Sequence, residues 1–562
     1  MPISHVSAIL RLSLATLMAL AAGGCGLFEP TTRPQPFCTS DDDCETGEVC
    51  FPDGCGDPGQ DIVVEVVPGA STGQLAQDFR IDKVQAVQNL EGFAPAVIQG
   101  TIQQESSSTA ESVPYAGDVF FRASGESILI PGRKRSLQYR ISPDQGAYEV
   151  AMPAGAFTVT YTPQDPQLPP QRRVGQLIQP GGVVDVSLLF PSVSSVLSLQ
   201  GKLVRNATTG SLVTGTAMQV QAFDPRTGDV YSQRAPVDPL TGDFTLFTQP
   251  RLDMDRILIR VTPQDPTALV PSKDFEVNFG SSLSSPLELG EYLDDDDRPI
   301  VLSGRLVDGA GNPLSAVPVL VDETARGGGT FKTQPVLTDL QGRFAVQTLR
   351  EESGTGLTLW AFPPPTSSAG IVRVLIQQIP WTGDLGDVRA PDKVEVTGRV
   401  LRPGDDVALP AAGVTVEAEP VATVEDRPLP HGITRAISDA EGRYSLRLDP
   451  AVYRLDFAPT DQLPRVSRFA TVAAVPDSTG QLAPLSLRDF RLSRGRRITG
   501  AITAIPTRLG DQTPVPAAYA SVKFFRVVSM DGAPSSILLA ETVADANGQY
   551  SVVLPAAKHG DP

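Results

Sequence analysis

The stretch Val301-Leu302-Ser303-Gly304-Arg305-Leu306-Val307, followed by Asp339-Leu340-Gln341-Gly342-Arg343-Phe344, decides the fold of this chain. Its first part is a short β-like segment with a central glycine, and its second part is a turn that opens onto an aromatic residue. Alternating apolar and polar side chains predict strands, while Gly and Asp predict the turns between them. Residues 301–349 therefore predict one small antiparallel β-sandwich.

The same outline recurs along the whole chain. The glycine of the first strand, Gly304, belongs to a series of five. Its members are 101, 103, 94 and 102 residues apart, at Gly100, Gly201, Gly304, Gly398 and Gly500. The Gly-x-aromatic step also recurs, with its aromatic residue at Tyr148, Phe244, Phe344, Tyr444 and Tyr550. A repeat of about 100 residues has the size of one domain, so the sequence predicts five tandem domains.

Two further features of the repeats predict turns and strand ends rather than catalysis. Asp339, Asp439 and Asp545 each precede the turn glycine by three residues, where an aspartate can accept hydrogen bonds from turn amides. The sequence Thr-Pro-Gln-Asp-Pro occurs at 162–166 and again at 262–266. Because proline cannot donate a ladder hydrogen bond, we expect both copies at the ends of strands.

Composition and charge favour an all-β protein and argue against one class of partner. The 562 residues include 50 Gly and 51 Pro, which indicates many turns rather than long helices. A formal net charge of -18 argues against nucleic acid as a partner, because phosphate binding requires clustered Lys and Arg.

Three segments of the third repeat carry a family resemblance: residues 304–314, Val317-Pro-Val-Leu-Val321 and Thr338-Asp-Leu-Gln-Gly-Arg-Phe344. They resemble the carboxypeptidase regulatory-like domain, a transthyretin-like sandwich, and the fourth repeat is similar. The resemblance implies a tandem array of antiparallel seven-stranded transthyretin/Ig-like β-sandwiches. It also implies accessory modules without catalytic residues, so we expect neither enzyme activity nor a cofactor.

The first residues predict export and a lipid anchor. Residues 12–22 form an apolar run of signal-peptide length after Arg11. Ala22-Gly23-Gly24-Cys25 resembles the bacterial lipobox, which implies acylation of Cys25 and, because Gly26 follows, an outer-membrane lipoprotein facing the periplasm or the cell surface. The alternative is an ordinary secretory signal cleaved after a small residue such as Ala21, which leaves Cys25 as a spare thiol.

The remaining cysteines, Cys38, Cys44, Cys50 and Cys55, form an even set in a segment too poor in apolar residues to build a core. In an exported chain this predicts two disulfides, and three connectivities are open. Zinc is the alternative reading, although the spacing lacks the tight CxxC pairs of structural zinc sites.

These landmarks predict the domain bounds: signal peptide 1–24, lipid-anchored tether 25–37, Cys-rich module 38–60, β connector or edge strands 61–95, and sandwiches at 96–194, 195–297, 298–391, 392–494 and 495–562. The fifth sandwich lacks the final strands of the others, so we expect it to be incomplete, with an exposed edge that needs a partner or frays. Five such bodies in a row would reach on the order of 150 Å.

Few residues are candidates for a binding site. Asp294, Asp295, Asp296 and Asp297 could hold calcium at a domain junction, but a solvated linker is the favoured reading, because EF-hand spacing is absent and four adjacent aspartates cannot all face one ion. Trp381 follows Pro380 in a predicted loop and is the better candidate for stacking on a ligand, whereas Trp360 lies in an alternating strand and is expected in the core. His431 and His559 are expected to be exposed loop residues.

The sequence therefore predicts a lipid-anchored, non-catalytic cell-envelope protein with a structural, adhesion or display role. One alternative is a carbohydrate- or peptide-binding surface receptor module, and another is an accessory or regulatory subunit of an envelope enzyme. The expected partners are the membrane, through the N-terminal lipid, and an envelope protein or polysaccharide.

Overall fold

The computed structural model describes residues 38, 43–45, 48–51, 54–69, 74–107, 111–206, 211–212, 217–248, 256–264, 273–278, 287–288, 299–324, 330–349, 357–376, 383–404, 407–424, 429–460, 463–475, 482–506, 513–530 and 533–556. Apart from a 3₁₀ assignment at Asp43, every secondary-structure element in these ranges is a β-strand, as the sequence predicts. The same ranges contain no helix with the length and apolar character needed to cross a membrane.

The strands before the first repeat are β1 (Val49–Phe51), β2 (Gly54–Gly56), β3 (Ile62–Val67), β4 (Gln77–Ile81) and β5 (Leu90–Glu91). Those of the first repeat are β6 (Ala96–Glu105), β7 (Ser112–Pro114), β8 (Val119–Glu126), β9 (Lys134–Ile141), β10 (Ala147–Met152), β11 (Gly155–Pro163), β12 (Gln171–Ile178), β13 (Val183–Asp185) and β14 (Leu188–Phe190). Those of the second repeat are β15 (Leu197–Lys202), β16 (Val204–Asn206), β17 (Ser211–Leu212), β18 (Met218–Phe223), β19 (Ala235–Pro236), β20 (Asp243–Thr248), β21 (Arg256–Pro263), β22 (Lys273–Asn278) and β23 (Leu287–Glu288).

The third repeat contains β24 (Pro299–Val307), β25 (Pro318–Thr324), β26 (Thr330–Lys332), β27 (Val336–Leu337), β28 (Arg343–Leu349), β29 (Leu357–Ala361), β30 (Val372–Ile376) and β31 (Asp384–Arg389). The fourth contains β32 (Val394–Arg402), β33 (Leu409–Pro410), β34 (Thr415–Thr423), β35 (Thr434–Ile437), β36 (Arg443–Leu448), β37 (Ala451–Ala458), β38 (Val466–Val472), β39 (Leu485–Ser486) and β40 (Phe490–Arg491). The fifth contains β41 (Arg494–Ala504), β42 (Val515–Pro516), β43 (Ser521–Met530), β44 (Ala533–Val543) and β45 (Gln549–Ala556).

The fourth repeat illustrates the common architecture of two facing sheets. One sheet has the order β33-β32-β36, and the other has the order β35-β34-β37-β38. Apolar side chains from both sheets, such as Val396 and Val416, share one buried core. The last strands β39 and β40 return to pair in parallel with β32, while the other pairings are antiparallel. The predicted tandem β-sandwiches are confirmed.

The two glycine landmarks of the sequence meet in space. Gly398 in β32 lies directly opposite Tyr444 in β36, and the other repeats contain the equivalent pairs Gly100 with Tyr148, Gly201 with Phe244, Gly304 with Phe344, and Gly500 with Tyr550. A Cβ atom on Gly304 would lie 2.8 Å from Cζ of Phe344. In the second to fifth sandwiches the glycine therefore makes room for an aromatic ring that crosses over the first strand, whereas a Cβ on Gly100 would meet the backbone of Val186.

The aspartates before the turn glycines are turn formers, as predicted. Oδ1 of Asp339 accepts hydrogen bonds from the amides of Gln341 and Arg343 at 2.9 and 2.8 Å. Gly342 has φ +75°, a conformation that glycine adopts without a steric penalty. The same pattern of hydrogen bonds recurs at Asp439 and Asp545.

The prediction of an exposed edge in the fifth sandwich is wrong, because strands from the beginning of the chain pair with that edge. Strand β43 pairs with β44 on one side and with β3 on the other, where Val64 lies opposite Phe524. Strand β4 extends this sheet beyond β3, and β5 pairs in parallel with β41. In the fourth sandwich, β37 and β38 hold the places that β3 and β4 take here. We call residues 62–69 and 74–91 the strap.

The strap belongs to the fifth sandwich on physical grounds. Ile62, Val64 and Val66 are buried in the same core as Phe524. On the opposite face, Val63 packs with Ile130 of the first sandwich. Burial of both faces explains why the run Ile-Val-Val-Glu-Val-Val is almost continuously apolar. Residues 61–95, predicted to be a connector or edge strands, thus supply strands of the fifth sandwich.

The strap turns the array into a closed circuit rather than an extended row. It leads into the first sandwich, and the chain then passes through the second, third and fourth sandwiches before it returns to the strap in the fifth. Ser536 of β44 also donates a hydrogen bond to the carbonyl of Pro131 in the first sandwich, at 2.9 Å. The expectation of a row on the order of 150 Å long is therefore wrong.

Replacing Gly500 with alanine is expected to destabilise the fifth sandwich by about 1–3 kcal/mol, because the new Cβ overlaps the backbone carbonyl of Gln88 in the strap. Hydrogen exchange of the amides in the strap should accelerate. The matched control is Gly59→Ala, whose Cβ would make only ordinary contacts, the nearest at 3.4 Å. Equal protection of the strap in both variants would contradict this prediction.

Candidate functional site

Several predicted site residues lie outside the described residues and stay predictions. They are the lipidation site Cys25, the calcium candidates Asp294, Asp295, Asp296 and Asp297, the ligand candidate Trp381, and His559. The structure does describe the four remaining cysteines, His431 and Trp360, together with three junctions between sandwiches.

The Cys-rich module contains two disulfides. Cys38 pairs with Cys50, and Cys44 pairs with Cys55, which selects one of the three connectivities left open by the sequence. Each bridge ties one strand of the hairpin formed by β1 and β2 to a cysteine that precedes the hairpin, and within the hairpin Cys50 lies opposite Cys55. Because zinc would need these sulfurs as free thiolates, the zinc alternative does not describe this structure.

The Cys-rich module packs onto the fifth sandwich next to the strap. Val49 and Phe51 are buried in the core that also contains Ile62. The guanidinium of Arg526, on β43, lies 3.9 Å from the centre of the Phe51 ring and donates a 2.8 Å hydrogen bond to the carbonyl of Asp57. The Cys-rich module is therefore packed against the fifth sandwich and is not a separate unit.

A buried group of charges joins the strap to the first sandwich. Glu65 of β3 and Asp78 of β4 face Arg133 and Arg135, which lie at the β8–β9 hairpin. Nε of Arg133 donates to Oε1 of Glu65 at 2.8 Å, and Nη2 of Arg135 lies 2.5 Å from Oδ1 of Asp78 and 3.6 Å from Glu65. Three of these side chains are at most 7% exposed, those of Glu65, Asp78 and Arg135. We call these four residues the charged latch.

Burial dominates the electrostatics of the charged latch. It raises the pKa of Asp78 above its ordinary value, although Arg135 and a hydrogen bond from Ser127 act in the opposite direction. Oε2 of Glu65 and Nε of Arg135 are buried and have no hydrogen-bond partner among the described residues. Breaking up such a group leaves charges in a medium that solvates them poorly, so its integrity depends on all four side chains.

A cleft of about 290 Å³ separates the third and fourth sandwiches. Its walls are mainly apolar and rich in proline, and they include Pro363, Pro364, Pro365, Pro430, Phe362 and Tyr453. The ring of His431 lies 5.0 Å from the ring of Phe362 across the junction. Arg447, an exposed residue of β36, supplies a cation at the same cleft. Such a surface offers a ligand ring-stacking contacts and the exposed positive charge of Arg447.

Lys393 forms the floor of this junction. Its side chain is 3% exposed, and Nζ donates to the carbonyls of Pro364 and Pro365 at 3.1 and 3.2 Å. Burial lowers the pKa of Lys393, while Asp449, with an oxygen 3.9 Å away, acts in the opposite direction. Asp449 also accepts a 2.8 Å hydrogen bond from the amide of Ile371. Lys393 and Asp449 therefore tie the two sandwiches together.

Replacing Lys393 with methionine is expected to destabilise this junction by about 1–3 kcal/mol, since the carbonyl of Pro365 loses the ammonium donor and that of Pro364, which also accepts from the amide of Ser367, loses one of its donors. Hydrogen exchange of residues 366–371 should accelerate. Lys134→Met, at an exposed position in the first sandwich, is the control and should leave these amides unchanged. Unchanged exchange in the Lys393 variant would show that the salt link does not hold the junction.

In the described part of the chain, some side chains of catalytic type have structural partners. The hydroxyl groups of Tyr148 and Tyr161 lie 3.0 Å apart in the core of the first sandwich, and burial raises the pKa of Tyr148 to about 12. His431 is exposed, as predicted, and packs against Phe362. Trp360 was expected in the core, but it faces away from it: the ring is half-buried, stacks on Phe362 and lies 5.4 Å from the guanidinium of Arg373.

One repeated sequence motif has a second role that the sequence did not indicate. Pro163 and Pro263 end β11 and β21, as predicted. In addition, Nε2 of Gln233 in the second sandwich lies 3.0, 2.7 and 2.9 Å from the carbonyl oxygens of Pro163, Asp165 and Leu168 in the first. The first copy of the Thr-Pro-Gln-Asp-Pro motif is thus an acceptor surface for the next sandwich.

Comparisons with known proteins add no family. No protein-family model matches the chain, and no curated protein matches it either. Solved structures with a likeness include a Streptococcal ancillary pilin, with 14% identity, 52% of this chain and 99% of that chain covered, and a TM-score of 0.19. They also include a minor pilin of Streptococcus agalactiae (12% identity, 34% and 95% covered, TM-score 0.19) and the RrgB pilus protein from Streptococcus pneumoniae (9%, 72% and 99%, 0.14). TM-scores this low have no bearing on the function of the chain.

Proposed function

We propose that this chain is a non-catalytic, lipid-anchored protein of the cell envelope, whose closed circuit of sandwiches is a compact scaffold at the outer-membrane surface. The observation that carries this proposal is the strap: the segment that follows the predicted anchor is built into the body by strand pairing. The body is therefore held close to the membrane and is not displayed at the end of a long row. We further propose that its repeats are carboxypeptidase regulatory-like domains.

The chemistry of the N-terminal part supports this proposal. Two disulfides favour an oxidising compartment outside the cytoplasm. If Cys25 carries lipid, only 12 residues separate it from Cys38, the first residue of the Cys-rich module. Several acyl chains would hold the chain on the membrane more firmly than one, at about 0.8 kcal/mol per buried methylene.

Fatty-acid labelling of cells that express the full chain tests the anchor. We expect label on the protein and none on a Cys25→Ala variant, together with release of that variant from the membrane fraction. Inhibition of the lipoprotein signal peptidase should leave the precursor uncleaved. Equal labelling of both forms, or a soluble parent chain, would refute the anchor.

A second candidate function is the binding of a carbohydrate or a peptide in the cleft between the third and fourth sandwiches. Its proline-rich wall, the Phe362 and Tyr453 rings and the cation of Arg447 favour it. Titration of the chain with envelope oligosaccharides and proline-containing peptides, followed by tryptophan fluorescence, to which Trp360 next to Phe362 contributes, tests this function. Saturable binding that Arg447→Ala weakens supports it, and absence of binding to either class refutes it.

A further inference from the structure

We propose that the strap is exchangeable: the fifth sandwich of one chain can bind the strap of a second copy, so that copies join head to tail. The partner is fixed by the strap itself, which is the one segment that demonstrably fits this acceptor. This inference is independent of the lipid anchor and of any ligand in the cleft.

The acceptor is a well-defined surface on the fifth sandwich. Without the strap, β43 would present an unpaired edge across the six residues that now pair with Ile62–Val67. The core beneath it would lose Ile62 and Val64, each 0% exposed. An edge with unpaired amides and an open apolar core is a template for another strand of matching pattern. The acceptor therefore recognises both the hydrogen-bond register and the alternating apolar side chains of the strap.

The donor is attached to the opposite end of the circuit. Residues 92–95 join the strap directly to the first sandwich, and the charged latch ties Glu65 and Asp78 to the hairpin of that same sandwich. The strap and the first sandwich can thus leave the acceptor together without breaking the charged latch. The acceptor lies at the other end of the chain. The hydroxyl of Tyr550 in the fifth sandwich donates a hydrogen bond to the carbonyl of Gln88 in the strap, 462 residues away in sequence.

A donor at one end and an acceptor at the other make the contact heterologous. Such a contact closes into a ring within one chain, or joins successive chains when the ends belong to different copies. The strap makes the same contacts with either acceptor, so chain concentration decides between the two outcomes. Closure within one chain is favoured because the tethered strap has a high effective concentration at its own acceptor. The fraction of joined chains increases as the chain concentration approaches this effective concentration.

Cysteine pairing between two differently tagged chains tests the exchange. Both chains begin at Gly26, which keeps every described residue; one carries Val67→Cys and the other Ser521→Cys, at positions that lie opposite each other in β3 and β43. The chains are unfolded together in denaturant with their disulfides intact, refolded and oxidised. We expect a disulfide between the two tags, with a ratio of joined to closed chains that rises about tenfold per tenfold increase in chain concentration.

The equivalent positions in the fourth sandwich are the matched control. Thr415 and Ala458 lie opposite each other in β34 and β37, which belong to one continuous sandwich, so Thr415→Cys and Ala458→Cys chains should not join. A double Val67→Cys, Ser521→Cys chain should close its disulfide within itself. The proposal is overturned if the two single variants never join, if the control pair joins equally well, or if the double variant does not close.

Discussion

Val64→Asp is expected to unfold the fifth sandwich while the first four stay folded. Val64 is 0% exposed, lies at the centre of β3 and packs in the core with Phe524. A carboxylate there would be desolvated without a partner, and removing β3 would also leave β43 with an unpaired edge. We expect a loss of about 4–5 kcal/mol, at the upper end of single-residue effects.

Limited proteolysis with mass spectrometry measures this effect, because the five sandwiches do not unfold as one two-state unit. New cleavage should occur within residues 494–556 and within the strap, and not in the first four sandwiches. Val87→Asp is the matched control, since Val87 is on the same strap but 60% exposed. If Val64→Asp left the fifth sandwich as resistant as the control, the strap would not be needed for its stability.

Arg135→Met is expected to separate the strap from the first sandwich. Methionine retains much of the side-chain volume but leaves Arg133, which is 40% exposed, as the remaining cation of the charged latch beside the buried carboxylates of Glu65 and Asp78. Removing one partner from a buried charge group costs about 3–5 kcal/mol. Hydrogen exchange of Gln77–Ile81 should accelerate accordingly. Arg140→Met, at an ion pair with a 62% exposed arginine, is the control and should have little effect.

The effect of Arg135→Met should depend on pH in a defined direction. Burial already raises the pKa of Asp78, and loss of Arg135 removes the main opposing influence and raises it further. A carboxyl group with a raised pKa destabilises the fold above that pKa, and the penalty decreases as pH falls through it. The difference between variant and parent should therefore be larger at pH 7 than at pH 4.5. A difference that grew on acidification would contradict the role assigned to Asp78.

The repeats could be predicted from sequence because their signals are local. The glycine at position 398 and the aromatic residue at 444 belong to one domain, and each has a fixed place in every copy. Turn residues such as Asp439 act on amides two and four residues away, so short motifs are sufficient to identify them. These features gave the all-β class and the sandwich units without any knowledge of neighbouring domains.

The circuit could not be predicted because its signals are not local. The run Ile62–Val67 is a clear strand in the sequence, but its residues do not predict that β43 is the strand with which it pairs. Its lack of apolar-polar alternation was the available clue, since it indicates a strand buried on both faces. The disulfide connectivity and the cleft at Lys393 likewise depend on how separate segments meet, and Lys393 was not a candidate at all.

The strap also determines how the molecule would bear mechanical load. A pull on Cys38 passes through the disulfides of the Cys-rich module to Ile62, the first residue of β3. Because β3 lies between β4 and β43, tension along the strand axis loads both hydrogen-bonded ladders in shear, and many bonds must break at once. Force applied at this point is then shared by three sandwiches. The charged latch transmits it to the first sandwich, the contact of Arg468 with Cys50 to the fourth, and the ladder between β3 and β43 to the fifth.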